Sequence, residues 1–187
     1  MEIHIRNMVC ARCIKTVTGI FHNAGLSLRN ISLGVVETEK EPTPLQEKEI
    51  RELLVAEGFE WLEDQKVKLV ESVKQAIVNL VHYGELDEMK ENLSGYLSSK
   101  LHKDYHYLSS LFSSVEQTTI EQYFILQKIE KVKEWLAYGE LTLNEMAYKL
   151  GYSSVAHLSG QFKKITGFTP SQFKQSKDHH RKPLDSI

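Results

Sequence analysis

The sequence has 187 residues, of which 41% are hydrophobic and 26% are charged. This composition is typical of a folded protein and too charged for an integral membrane protein, because no uncharged stretch approaches the ~18 apolar residues of a spanning helix. The net charge of -2 is unevenly spread: residues 83–140 carry 6 Lys and Arg against 10 Asp and Glu, whereas residues 141–187 carry 7 against 3. A basic end on a near-neutral chain fits either a DNA contact by that part of the molecule or an ordinary solvated tail.

Residues 1–62 alternate between strand and helix patterns. The first residues alternate apolar and polar side chains as a strand does and lack the pattern of a signal peptide, so we expect a cytoplasmic protein with no membrane contact. A helical face then ends at Gly25, strand chemistry with a hairpin at Gly34 follows, and a second helix and a short strand complete the segment. The order βαββαβ predicts a ferredoxin-like α+β domain.

The next segment, residues 63–84, is predicted to be a linker helix. Four branched aliphatic side chains share one seam between residues 64 and 81, namely Val70, Val73, Ile77 and Leu80. This seam either packs on a neighbouring domain or forms a short homodimer interface, although sustained coiled coils normally need three heptads or more.

Residues 85–176 have helical patterns throughout and contain an internal duplication with a period of 50 residues. The matches include Leu108 with Leu158, Phe112 with Phe162, and Thr119 with Thr169. In each copy a short helix, a tight turn (residues 101–104 and 151–153) and a second helix follow one another, and a long helix over 119–138 joins the copies. We therefore predict an all-α domain with two helix-turn-helix units, followed by a tail over 177–187.

The second helix of each copy has an outer face of small and polar residues, where a purely solvated helix normally carries Glu and Lys. Small side chains let a helix enter the ~12 Å major groove, where Ser and His reach base edges. The alternative is a packing face for another domain. The outward residues are His106, Ser109, Ser110 and Ser113 in the first copy, and Ala156, His157, Ser159, Gly160, Lys163 and Lys164 in the second.

The second copy also resembles a known family. The run from Gly139 to Ser154, followed by His157-Leu158-Ser159 and residues 161–171, is similar to the DNA-binding domain of AraC/XylS-type transcription regulators. The resemblance covers residues 85–176 and implies that the two second helices enter successive major grooves of double-stranded DNA. The residues at the family's base-reading positions are His106, Ser109 and Ser110, and Val155, Ala156, His157, Ser159 and Gly160.

The two cysteines of the chain, Cys10 and Cys13, are separated by two residues. A disulfide between them would close too short a loop to stabilise a fold substantially. In a cytosolic chain this spacing therefore indicates a metal or redox site. Thiolates prefer soft ions such as Cu(I), whereas two ligands alone leave Zn(II) unsatisfied. Arg12 and the start of the following helix are expected to lower the thiol pKa.

The surrounding motif, Met8-Val9-Cys10-Ala11-Arg12-Cys13, follows a strand and opens a helix, and it resembles the Met-x-Cys-x-x-Cys loop of heavy-metal-associated (HMA) domains. The resemblance covers residues 1–62 and implies that Cys10 and Cys13 bind Cu(I) or another soft ion while Met8 packs beneath the loop. Asn7 stands where that family usually has glycine. Thiol redox sensing, a degenerate site, an organic ligand and a domain that only dimerises stay open as alternatives.

The chain has no recognisable catalytic constellation of nucleophile, base and acid, no phosphate-binding loop and no paired carboxylates. We therefore predict a DNA-binding transcription regulator rather than an enzyme, with a soft metal ion as the expected effector. A remoter alternative is a metal carrier whose helical half is an interaction module.

Overall fold

A computed structural model describes residues 1–84, 86–89, 91–139, 141–175 and 184. The chain divides into two compact units, Met1–Gln75 and Ala76–Ile187, so the division falls inside the predicted linker segment. Of the predicted tail over 177–187, only Leu184 lies within the described residues. No helix in the described part of the chain has the length and apolar character needed to cross a membrane.

The N-terminal unit contains a four-stranded antiparallel sheet and two helices within residues 1–62, and the element order of these residues is the predicted βαββαβ. The strands lie in the order β2-β3-β1-β4. Ile3 pairs with Val36 and Ile5 pairs with Trp61, so β1 is a central strand. The elements are β1 Glu2–Arg6, α1 Ala11–Asn23, β2 Leu28–Ser32, β3 Val35–Thr38, α2 Pro44–Ala56 and β4 Glu60–Leu62.

Period-two alternation in β1 explains how this unit builds its core. Ile3 and Ile5 are at most 1% exposed, because alternate side chains of a strand point to the same face of a sheet. The two helices contribute further buried side chains to the same cluster, among them Phe21 from α1 and Leu54 from α2. The sheet and both helices therefore enclose one core, which fixes the loop that follows β1.

The linker segment forms a helix that is shorter than predicted. Helix α3, Gln65–Val78, begins where the Asp64 carboxylate accepts the backbone N–H groups of Lys66 and Val67. It continues as a π-helical turn over Asn79–Tyr83, so the regular α-helix ends before residue 81. Such π-helical turns insert an extra residue per turn and shift the side chains that follow.

The aliphatic seam of this segment is buried within the single chain. Its four side chains are no more than 7% exposed: Val70, Val73, Ile77 and Leu80. These side chains are therefore covered before any second copy approaches, and the prediction that they form a homodimer seam is wrong. The periodicity identified an apolar face correctly, but it could not tell what covers that face.

The C-terminal unit contains the two predicted helix-turn-helix units. Each starts with a short helix and a tight turn, and α6 joins them at the predicted position. A 3₁₀ turn, Leu86–Glu88, precedes the first. The helices are α4 Leu93–Leu101, α5 Tyr105–Glu116, α6 Ile120–Tyr138, α7 Leu143–Lys149, α8 Val155–Thr166 and α9 Pro170–Gln175.

The 50-residue duplication extends to the packing of side chains. Leu108 and Phe112 of α5 are buried, as are Leu158 and Phe162 of α8. Phe112 contacts the ring of Tyr123 with centroids 5.7 Å apart, and Phe162 contacts Phe173, 50 residues after Tyr123, at 5.4 Å. Other predicted core positions are half-buried: Leu111, Val115 and Ile165. Because the same packing occurs in both units, α5 and α8 occupy equivalent positions within them.

Candidate nucleic-acid interface and thiol pair

The helices α5 and α8 begin at equivalent, capped turns. The Asp104 carboxylate accepts the N–H of Tyr107 at 3.2 Å, and the Ser154 hydroxyl, 50 residues later, accepts the N–H of His157 at 3.1 Å. Such a cap satisfies one of the donors that the first turn of a helix leaves without a partner. Because a side-chain oxygen caps each helix at equivalent positions of the repeat, α5 and α8 both begin directly after the turn.

The residues predicted to contact DNA lie on the open side of these helices. None is buried, and six of them are Ser, Ala or Gly, which are small enough to leave the helix backbone accessible. Exposed positions are His106, Ser110, Ala156, His157, Gly160, Lys163 and Lys164, and half-buried positions are Ser109, Ser113, Val155 and Ser159. At Gly160 an added Cβ would meet no atom within 4 Å, so this part of α8 is open on its outer side.

His157 is held by the turn that precedes α8. Its Nδ1 lies 3.1 Å from the Ser153 hydroxyl, and its ring meets the edge of Tyr152 at a centroid distance of 5.3 Å. When Nδ1 accepts the hydroxyl proton, Nε2 carries the ring proton. No described residue bonds to Nε2, so this N–H is available to an acceptor outside the chain.

Positive charge is concentrated on one of the two helices. Lys163 and Lys164 lie exposed in the last turn of α8, where the helix dipole favours a cation. The equivalent positions of α5 are Ser113 and Ser114. The second unit therefore offers the stronger electrostatic contact to a phosphate backbone.

The sequence reasoning missed Tyr107 as a candidate interface residue. Tyr107 is the third residue of α5 and is 48% exposed, and it stands 50 residues before His157. The repeat itself carried this signal, since the equivalent of a predicted reading position is another candidate.

The two cysteines meet at the start of α1. Cys10 precedes the helix with an extended backbone, Cys13 lies in the first turn, and their sulfur atoms are 3.3 Å apart. Both thiols are free and half-buried. Met8 is fully buried beneath the loop, as the HMA resemblance implied.

The two thiols differ in acidity. Burial raises the pKa of Cys10, but hydrogen bonds from Cys13 and Arg12 outweigh burial and leave this pKa below its ordinary value. Burial raises the pKa of Cys13, and the neighbouring Cys10 adds to the rise. Cys10 is therefore the thiol that ionises first.

Asn7 adopts the left-handed backbone conformation that glycine favours, with φ of 70°. Its side chain donates to the carbonyl oxygen of Gly58 at 3.0 Å. Its backbone N–H donates to the carboxylate of Glu71, a 4% exposed residue of α3 whose pKa is raised by burial. Asparagine thus replaces the glycine expected at this position without loss of the loop, and α3 holds the loop from the other side.

The donor set near the cysteines is small. Within the described part of the chain, no group of three or more His, Cys, Asp or Glu side chains is placed to hold one metal ion. Zn(II) normally takes four protein ligands in a structural site, whereas soft Cu(I) is suited to thiolates. The residues present therefore fit a soft ion held by Cys10 and Cys13 better than they fit Zn(II).

Comparison with known proteins identifies the helical part of the chain. A family model described as a helix-turn-helix domain matches residues 97–176, which run from the middle of α4 through the second unit and lie outside the thiol-bearing unit. A curated relative, the uncharacterized HTH-type transcriptional regulator YtdP of Bacillus subtilis (strain 168), is 26% identical over 107 residues. That match covers 57% of this chain and 13% of YtdP, so the chain spans about an eighth of the relative's length.

Two solved structures are also similar. The C-terminal domain of AraT, a response regulator from Geobacillus stearothermophilus, is 23% identical with a TM-score of 0.49, covering 63% of this chain and 97% of that domain. The C-terminal domain of the two-component response regulator yesN from Fusobacterium nucleatum is 29% identical with a TM-score of 0.47, covering 56% and 99%. The curated relative is described as a transcriptional regulator, and both solved structures are described as C-terminal domains of response regulators.

Proposed function

We propose that this chain is an AraC-type transcription regulator that recognises double-stranded DNA by sequence, and the helix-turn-helix model that matches residues 97–176 supports the proposal. The observation that carries the proposal is the repeated geometry: α5 and α8 start at equivalent caps and leave small or polar side chains open. Helices of this kind enter the major groove and place such side chains against base edges.

The DNA proposal is tested by selecting binding sites from random duplexes and then measuring affinity by gel shift at several stated salt concentrations. A regulator should bind the selected site at least about 10³-fold more tightly than random DNA. A metal carrier whose helical half is an interaction module would show no sequence preference. Equal affinity for selected and random duplexes would contradict the proposal.

We propose further that the N-terminal unit is a ferredoxin-like, HMA-type sensor whose Cys10 and Cys13 hold a soft ion such as Cu(I). The support is the 3.3 Å approach of the two sulfur atoms in a loop with a buried Met8, on a sheet of order β2-β3-β1-β4. In this proposal Cys10 supplies the more acidic thiol and Cys13 supplies the second ligand. Bound Cu(I) would serve as the signal.

A signal shifts a regulator only if it binds one arrangement of the protein better than another. We therefore expect Cu(I), supplied under reducing conditions, to change affinity for the selected site by about 5–150-fold, the usual range of allosteric coupling. The change should vanish in Cys10→Ser/Cys13→Ser, whose fold is checked by circular dichroism. Metal analysis of both proteins measures binding separately from its effect on DNA.

The second candidate is a thiol redox sensor, and the unequal acidity of the cysteines favours it. Hydrogen peroxide would oxidise the two thiols to a disulfide and be reduced to two water molecules. A change in DNA affinity with peroxide but not with Cu(I) would support this candidate against the metal sensor. No change with either would favour an organic effector or a unit that only dimerises, through a surface other than the buried α3 seam.

A further inference from the structure

The C-terminal unit contains an open cleft beside α6 and the turn of the second helix-turn-helix unit. Its volume is about 480 Å³, within the ~300–1,000 Å³ typical of small-molecule sites. Most of its wall is apolar or aromatic. The residues of that wall are Leu86, Met89, Phe124, Tyr148, Leu150 and Tyr152.

One cation, Lys128 of α6, lines this cleft and is 8% exposed. Its ammonium group lies 3.8 Å from the ring centroid of Tyr152 and 5.0 Å from that of Phe124. Among the described residues, none forms an ion pair or hydrogen bond with it. Asp87 also lines the cleft but is not paired with Lys128.

The energetic state of this ammonium group is unusual. Within the described part of the chain this ammonium group lies near two aromatic rings and has no oxygen acceptor, although a buried charge normally requires a hydrogen-bonded partner. Desolvation lowers the pKa of Lys128 from 10.5 to about 8. Contact with the ring faces offsets part of the cost of burying the charge, but it leaves the donors unsatisfied.

We propose that this cleft binds a small aromatic monocarboxylate, whose carboxylate pairs with Lys128 and whose ring packs against the aromatic wall. The anion supplies an acceptor that none of the described residues supplies to Lys128, and the apolar wall accounts for an aromatic body. This site lies outside the thiol loop, so it is a second ligand site and does not depend on metal sensing.

The same wall supports the second recognition helix. The Tyr152 hydroxyl donates to the side-chain oxygen of Gln161 at 2.6 Å, and Ser153 contacts His157 at 3.1 Å. An anion that draws Lys128 away from the Tyr152 ring alters the contacts that hold His157. The ligand therefore changes the position of His157 on the proposed DNA-facing surface of α8 through the contacts of Tyr152 and Ser153.

The test uses the full chain and three probes: benzoate, indole-3-acetate and benzamide, the uncharged amide of benzoate. Amide NMR shifts locate each probe, and their concentration dependence gives its affinity. We expect the carboxylates to shift Tyr152, Ser153 and Lys128, and benzoate to bind at least about tenfold more tightly than benzamide, the difference of one charge-assisted hydrogen bond. Absence of shifts with both carboxylates, shifts elsewhere on the chain, or equal binding of benzoate and benzamide would overturn the proposal.

A variant pair sharpens the test. Lys128→Met removes the charge and keeps much of the side-chain volume, so benzoate affinity should fall at least about tenfold. Lys100→Met is the matched control, because Lys100 also contacts an aromatic ring, that of Tyr96 at 5.4 Å, but is exposed. An equal fall in both variants, or none in Lys128→Met, would contradict the proposal. If Lys128→Met does not fold, the comparison of benzoate with benzamide on the unaltered chain still decides it.

Discussion

The ring of Tyr152 meets the imidazole of His157 at a right angle, with centroids 5.3 Å apart. Tyr152 itself is buried against Lys128 of α6, so His157, a predicted base-reading position, is supported through the turn by the helix that joins the two helix-turn-helix units. An imidazole braced on one side by an aromatic edge and bonded through Nδ1 loses little conformational entropy when it contacts DNA.

We predict that His157→Ala costs about 1–3 kcal/mol on the selected DNA site if Nε2 donates to a base. The cost on random DNA should be much smaller, because a base contact carries the sequence information. Ser153→Ala removes the hydrogen-bond partner of His157 Nδ1. This change should also lower affinity for the selected site, but by less than His157→Ala does. His106→Ala is the matched change in the first unit. Equal losses on selected and random DNA would identify a phosphate contact instead.

We predict that Lys163→Ala/Lys164→Ala weakens binding to every duplex and flattens the salt dependence. Each phosphate contact contributes a slope of about 0.9 in log affinity against log salt, so two lost contacts should reduce it by up to about 1.8. The control is Lys48→Ala/Lys66→Ala, two exposed lysines of the N-terminal unit. A slope that is the same in both double variants would place the phosphate contacts elsewhere.

We predict that Gly160→Ala changes the stability of the chain and its affinity for DNA in opposite directions. Glycine inside a helix costs about 1 kcal/mol relative to alanine, and a Cβ at this position meets no atom within 4 Å. Gly160→Ala should therefore raise the free energy of unfolding by up to about 1 kcal/mol while weakening binding to the selected site, because the methyl group faces the groove.

The matched control for this change is Gly19→Ala. Gly19 lies inside α1 of the N-terminal unit, and an added Cβ there also meets no atom within 4 Å. Chemical denaturation should show a similar gain for both variants, whereas only Gly160→Ala should lose DNA affinity. Undiminished affinity in Gly160→Ala would mean that this part of α8 does not approach the duplex closely.

Local sequence patterns predicted the elements of this fold because their causes are local. The period of 50 residues placed α5 and α8, and the caps at Asp104 and Ser154 follow from the same repeat. Asn7 is a different case. Its left-handed backbone was foreseeable from its place in the loop, but its partner Glu71 comes from a helix more than 60 residues later.

The sequence pattern could not predict contacts between segments that are distant along the chain. Lys128 belongs to α6, and a lysine in a helix normally predicts a solvated side chain rather than one buried on the Tyr152 ring. The seam of α3 shows the same limit, since the spacing of Val73 and Ile77 is equally suited to a dimer and to burial within one chain. Only the tertiary structure distinguishes these outcomes.

The last prediction concerns the pH dependence of stability that Lys128 imposes. In the folded chain, burial lowers the pKa of Lys128 to about 8, whereas an unfolded chain keeps its ordinary value of 10.5. Below pH 8 both states hold the proton, and the cost of burying the charge is present in full. Between pH 8 and 10.5 the folded state releases the proton first, so the free energy of unfolding rises with pH across this window.

The measurement compares denaturation of the unaltered chain with Lys128→Met over this range, because tyrosines and other lysines titrate alike in both and cancel in the difference. The difference in unfolding free energy should change by on the order of 3 kcal/mol, since one pKa unit corresponds to about 1.4 kcal/mol. Lys100→Met, whose lysine is exposed, should show no such change. Parallel curves for the unaltered chain and Lys128→Met would mean that the ammonium of Lys128 is solvated in the folded protein.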